Sequence, residues 1–133
     1  SSVSDIAVDS VPKSPRVGCI AVPSVSLSDY CSVECVDHID LLSVTSCGSE
    51  LQVIRGGESL IKHGKIRLII IEMNFRRTYQ GSARPHEVIS LMESLGYSCY
   101  GIYNQKGLGN ELQSADSLWQ RRDSALTPLV DLV

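Results

Sequence analysis

An α/β fold is predicted: parallel βαβ units, a C-terminal antiparallel strand, and helices on the faces of the sheet. Three observations carry that expectation. Residues 39 to 72 read as strand, glycine turn, helix and strand with few residues left over. The segment Arg67-Leu-Ile-Ile-Ile-Glu-Met73 is apolar at both parities, as a strand buried on two faces would be. Val88, Leu91, Met92 and Leu95 then follow at i, i+3, i+4 and i+7, the stripe of a core-facing helix.

The elements follow in order. Residues 1 to 18 are rich in Ser, Val and Pro, with Pro12 and Pro15 close together, and read as an extended arm or linker. Residues 19 to 27 hold a candidate edge strand interrupted by Pro23. Ser28 or Asp29 is placed to cap a short helical turn through Val33. Asp40 to Val44 is a short apolar strand, and Gly48 permits a sharp turn after it. Ser49 is then the expected N-cap of a helix running to about His63, with Val53, Ile54, Gly57, Leu60 and Ile61 on one face. Gly56 and Gly57 lower its helix propensity, which points to close packing, and Gly64 stops it.

Pro85 suits the first position of the next helix, and Gly96 ends it. Tyr97 to Tyr103 reads as a third strand and Asn104 to Asn110 as a glycine-containing turn. Ser117 to Arg121 reads as a fourth strand, antiparallel to its neighbour because only a turn-rich segment precedes it. The domain thus spans 19 to 125, with a short apolar tail over 126 to 133.

Composition narrows the function classes. A chain of 133 residues is enough for one domain. Twelve basic and fifteen acidic residues, net charge -3, form no block of one sign, so no dedicated nucleic-acid surface is expected. The longest aliphatic run, Leu68 to Ile71, is far too short for a transmembrane segment, and no secretory apolar region is present. The chain begins at Ser1 rather than Met, as a processed or fragmentary product would. Five cysteines (Cys19, Cys31, Cys35, Cys47 and Cys99) make an odd number without framework spacing, which suits a reducing intracellular compartment or organelle. Cys31 and Cys35 lack the second pair that a zinc site needs.

The run from Ile39 through Asp-Leu-Leu-Ser-Val-Thr-Ser-Cys-Gly-Ser-Glu to Gly57, continuing to Arg67-Leu-Ile-Ile-Ile-Glu72, resembles the C-terminal half of FkbM-type methyltransferases. Val22 to Asp29, Leu95-Gly96-Tyr97 and Ala115 to Trp119 are similar to other pieces of that family, so the resemblance covers about 20 to 122. It implies a partial Rossmann-like methyltransferase sheet and S-adenosylmethionine-dependent O-methylation. Glu50 and Glu72 match the family's residues. Its Lys, Asp and Glu fall on Ser43, Thr45 and Cys47, and its usual Asp on Ser28. The cofactor-binding half, with its glycine-rich loop, does not align with these residues. Gly107-Leu-Gly109 is no substitute, because no helix follows it. No cofactor is therefore expected in this chain, and S-adenosylmethionine only if the missing half is supplied.

Ligands of an open parallel sheet sit at the carboxyl ends of its strands, here Thr45 to Gly48 and Glu72 to Arg77. Glu72 is the candidate catalytic carboxylate, able to orient a hydroxyl or take its proton, unless it merely pairs with Arg76 or Arg77. Glu50, in the first turn of a helix, has a sufficient role in favouring the positive end of the helix dipole. Cys47 reads as a small, inert, half-buried thiol. Arg76, Arg77, Tyr79 and Arg84 crowd one loop and suit either a protein interface or a plain solvated loop. The Asp40–Val44 strand would be an open edge without the missing half, so a protein partner, that half or the N-terminal arm is expected to cover it. The functional expectation is a degenerate, non-catalytic methyltransferase-like domain serving as a structural or interaction subunit. The alternative is a fragment or divergent form of an active methyltransferase.

Overall fold

The computed structural model describes residues 18–76 and 81–122. Most of the expected arm, all of the expected tail, Arg77 and Tyr79 lie outside these residues. The elements run α1 (Leu27–Val33), β1 (Ile39–Val44), α2 (Glu50–Gly56), α3 (Glu58–Lys62), β2 (Ile66–Asn74), α4 (Pro85–Ser94), β3 (Tyr97–Leu108) and β4 (Glu111–Arg121). Four strands form one mixed sheet in the order β1-β2-β4-β3. β1 and β2 pair in parallel, with Val44 beside Ile71. β4 is antiparallel to β2 on one side and to β3 on the other. The predicted α/β class and the parallel βαβ unit are both present, and the arrangement is consistent with a methyltransferase-like fold.

Register sorts the sheet into two unlike faces. Ile69, Ile71 and Met73 point to one face with Trp119, Ser117 and Ala115 beside them, and all six are buried. Ile54 and Ile61 from α2 and α3, and Val88, Leu91 and Met92 from α4, pack on that face as one core. Burying each such side chain contributes roughly 2 kcal/mol. The opposite face carries Leu41 and Ser43 of β1, Leu68, Ile70 and Glu72 of β2, and Asp116, Leu118 and Gln120 of β4. None of these eight side chains is in the core cluster, and Leu41 is 52% exposed, although Ile66, at the start of β2, is buried in the core. The expectation of helices on both faces is corrected: among the described residues the helices cover one.

Several local expectations change too. Residues 18 to 26 form no strand. Ser26, not Ser28 or Asp29, caps α1, its hydroxyl accepting from the Asp29 N–H at 3.1 Å. The single helix expected over 49 to 63 is two, broken at Gly57 (φ -112, ψ 11). A Cβ on Gly57 would stand 2.7 Å from Leu27 Cδ2, so the break lets α1 sit against the α2–α3 joint. The turn expected at Asn104 to Asn110 is strand as far as Leu108. Asn104 adopts φ 52, the β3–β4 register shifts between Tyr103 and Lys106, and the chain reverses only at Gly109-Asn110. Pro85, by contrast, opens α4 as expected, and all four stripe residues are buried.

Candidate functional site

Because β1 and β2 are parallel, their carboxyl ends open on the same edge, and three segments meet there. The first is the loop Thr45–Ser49. Cys47 (φ 54) and Gly48 (φ 114) both take positive φ to turn it toward α2. Glu50, 1% exposed, holds the loop from within. Its carboxylate accepts from the Ser46 N–H at 2.9 Å, the Ser46 hydroxyl at 2.9 Å and the Gly48 N–H at 3.1 Å. The Ser49 hydroxyl adds a bond to the Ser46 carbonyl at 3.0 Å. Glu50 therefore ties down the loop that its own helix follows, a structural role that goes beyond the dipole.

The second segment leads into α4. The Ala83 N–H donates to the Gly48 carbonyl at 2.9 Å, and a Cβ on Gly48 would lie 2.8 Å from Ser82 Oγ. Only glycine meets both the conformation and the space. Arg84 is turned inward: its guanidinium donates to the Phe75 carbonyl at 2.9 Å, and its N–H to Glu87 Oε1 at 2.9 Å. It ties the end of β2 to the start of α4.

The third segment is the end of β2. Glu72 is half-buried on the face the helices leave open, and no ion pair or side-chain hydrogen bond joins it to another described residue. Arg76 pairs with Glu111, Nε to Oε2 at 3.5 Å. Beside Glu72 in register lies Asp116, whose carboxylate accepts from Asn104 Nδ2 at 2.8 Å. One step beyond the Val44–Ile71 pair stand Thr45 and Glu72. Ser43, paired with Ile70, thus shares one face with Glu72 at this end of the sheet, and Thr45 follows β1 directly and is exposed. Cys47 is exposed rather than half-buried.

A match between the chain and the methyltransferase FkbM domain family extends over residues 2–99. The chain belongs to that family. No match was found among curated proteins or among solved structures. The FkbM match starts near the N-terminus, where an arm was expected, and stops within β3. It leaves out β4, which lies outside the match and yet sits beside β2 in the sheet.

The sequence singles out Glu72 and Glu50, and the fold places both at the FkbM domain's open strand ends. Asp116 was not among the candidates. It meets Glu72 only because β4 inserts beside β2, a pairing between residues 44 positions apart that no local pattern signals. Ser46 was also missed, although a serine two residues before a turn glycine is a recurrent donor in such loops. Among the described residues no group of His, Cys, Asp and Glu is placed to hold a metal ion. No described helix is long and apolar enough to cross a membrane.

Proposed function

We propose that this FkbM domain is a degenerate methyltransferase fold that serves as a structural or interaction subunit of a larger assembly. The observation that carries the reading is the face shared by Ser43 and Glu72 at the carboxyl ends of β1 and β2, with Thr45 exposed directly after β1. On the family resemblance, positions 43 and 45 are a lysine and an aspartate. Charges there would stand beside Glu72 and polarise whatever binds. Here both are small hydroxyl residues, exposed and neutral. The other retained carboxylate, Glu50, is saturated by its own loop.

The same reading makes the sheet a partial Rossmann-like one, with β1 as the strand to which further strands would be added. Its edge is open among the described residues, with no bulge and no proline. A protein partner, or another segment supplying further strands, pairs there. S-adenosylmethionine would enter only with such a segment. The five free thiols fit a reducing compartment, which is where we place the protein.

A second reading retains activity, and one observation favours it. Glu72 is a half-exposed carboxylate with no partner among the described residues, free to accept a proton from a substrate hydroxyl. Methyl transfer depends largely on proximity and in-line orientation, so the loss of two charges does not by itself abolish it. Isothermal titration of the chain with S-adenosylmethionine separates the two. The scaffold reading expects no heat of binding and recovery of the chain in a stable complex. Binding at micromolar strength overturns it.

A further inference from the structure

The free side of β1 presents a fixed set of backbone groups. The Ile39 N–H donates to the Lys65 carbonyl at 2.7 Å, so Ile39 turns its backbone groups toward β2. Along a parallel pair the residues alternate, one bonding to the neighbouring strand and the next turned away. Leu41 and Ser43 therefore bond toward β2. Asp40, Leu42 and Val44 turn their N–H and C=O groups outward, where no other described strand lies. The six-residue strand that carries them has no lysine, no proline and no register shift. Such an edge is a template for another strand.

The strand is complementary to itself. In an antiparallel pair about a two-fold axis, each outward residue has to meet an outward residue of the other strand. An axis at Leu42 sets Leu42 opposite Leu42, Asp40 opposite Val44 and Val44 opposite Asp40. Each of these pairs exchanges two N–H···O=C bonds, so every outward group of the strand is satisfied. An axis at Leu41 leaves Val44 without a partner in the strand, and one at Ser43 leaves Asp40 without one. An axis at Asp40 puts two carboxylates directly opposite each other, which is destabilising.

The side chains agree with the Leu42 register. Leu42 is half-buried against the core, and its two copies would meet at the axis on the helical side of the sheet. On the open face Leu41, 52% exposed, would lie opposite Ser43 of the second copy. These two form a close pair without mutual hydrogen bonds, their Cα atoms about 4.5 Å apart. The two Asp40 side chains stand at opposite ends of the joint.

We propose that β1 pairs antiparallel with β1 of a second copy of this chain, about a two-fold axis at Leu42, and joins two sheets into one. The pairing rests on the scaffold reading, in which β1 accepts a further strand, and it identifies that strand. Any other protein has to bring an edge of matching length and register, whereas a second copy brings one by symmetry.

Amide hydrogen exchange followed by NMR on the full 133-residue chain tests it, with sedimentation reporting the dimer. The Leu41 and Ser43 amides, bonded to β2, should be protected in monomer and dimer alike. The Asp40, Leu42 and Val44 amides should exchange fast in the monomer and slow by at least about tenfold in the dimer. In a mixture of labelled and unlabelled chains, an isotope-filtered NOE should join the Leu41 and Ser43 Hα atoms. Leu41→Lys, at an exposed position, should remove both the dimer and the slowing while the dilute chain keeps its unfolding midpoint. Protection of the three outward amides in a monomeric chain overturns the proposal, since the chain then covers its own edge. So does a dimer in which those amides stay fast. A chain that remains monomeric at every concentration also overturns it, and its recovery in a stable complex with other proteins would leave the scaffold reading standing.

Discussion

Glu50 and Tyr97 show how single polar groups are held inside this domain. Glu50 accepts its bonds from Ser46 and Gly48 with 1% of its surface exposed. Bonds to a buried charge are worth about 1.5–3 kcal/mol, and an amide in its place would point N–H groups at N–H donors. Glu50→Gln is therefore expected to lower stability by about 2 kcal/mol, read as a lower urea midpoint at unchanged slope. A loss below about 0.5 kcal/mol would mean that the loop stands without it. Tyr97 is fully buried and its hydroxyl donates to the Ile66 carbonyl. Burial raises its pKa above the ordinary value of 10.0, with Arg121 pulling the other way. The folded state thus holds the phenol proton more tightly than the unfolded chain does. The resulting stability is present below the unfolded pKa of about 10 and disappears as pH rises through the folded value. Tyr97→Phe should cost about 1 kcal/mol at neutral pH through the lost hydrogen bond. That deficit should shrink as pH rises above about 10, because only the parent loses the tyrosine contribution. A deficit constant across that range would contradict the assignment.

At the scale of elements, the joint between β2 and β4 depends on one polar relay inside the apolar face. The Ser117 hydroxyl donates to the Ile71 carbonyl at 2.9 Å and accepts from Trp119 Nε1 at 2.8 Å, with both side chains buried. Ser117→Ala leaves the indole N–H without an acceptor. The expected loss is about 2 kcal/mol, and the fluorescence of the single tryptophan should change with it. An unchanged emission spectrum would show that the indole finds another partner. This joint also lies beyond what local sequence signals carry. β1, β2 and α4 were legible because their signals are local: an apolar run, a proline start and a helical stripe. The insertion of β4 between β2 and β3 was not, since Ser117 meets Ile71 across 46 positions. Asn104 and Gly107 resemble turn residues, yet here they shape bulges in a continuous strand. The break at Gly57 depends on Leu27, thirty positions away, so two glycines read as close packing could not be read as a helix end. At the site the same limit applies. Glu72 and Glu50 stand in a recognisable motif, while Asp116 enters through long-range pairing alone.

For the whole molecule, the two edges of the sheet are built differently. β3 is interrupted by three register shifts and carries Lys106 on its exposed length, features that discourage a further strand from pairing with it. β1 runs in unbroken register with β2 from Leu41 to Val44, and neither a lysine nor a proline lies within it. If assembly proceeds through an edge, β1 is the competent one. Ser43 is the position at which to test this, since its side chain is exposed and contributes nothing to the core. Ser43→Lys should leave stability within about 0.5 kcal/mol of the parent, as exposed substitutions do. The same charge should weaken pairing at β1, since edge lysines oppose strand addition. The expected result is loss of the chain from its complex, or of its concentration-dependent association, at an unchanged unfolding midpoint. A matched Lys at Gln105, on the bulged stretch of β3, should have no such effect. Equal association of both variants with the parent would move the contact off the β1 edge, and with it the reading of this domain as a strand-accepting scaffold.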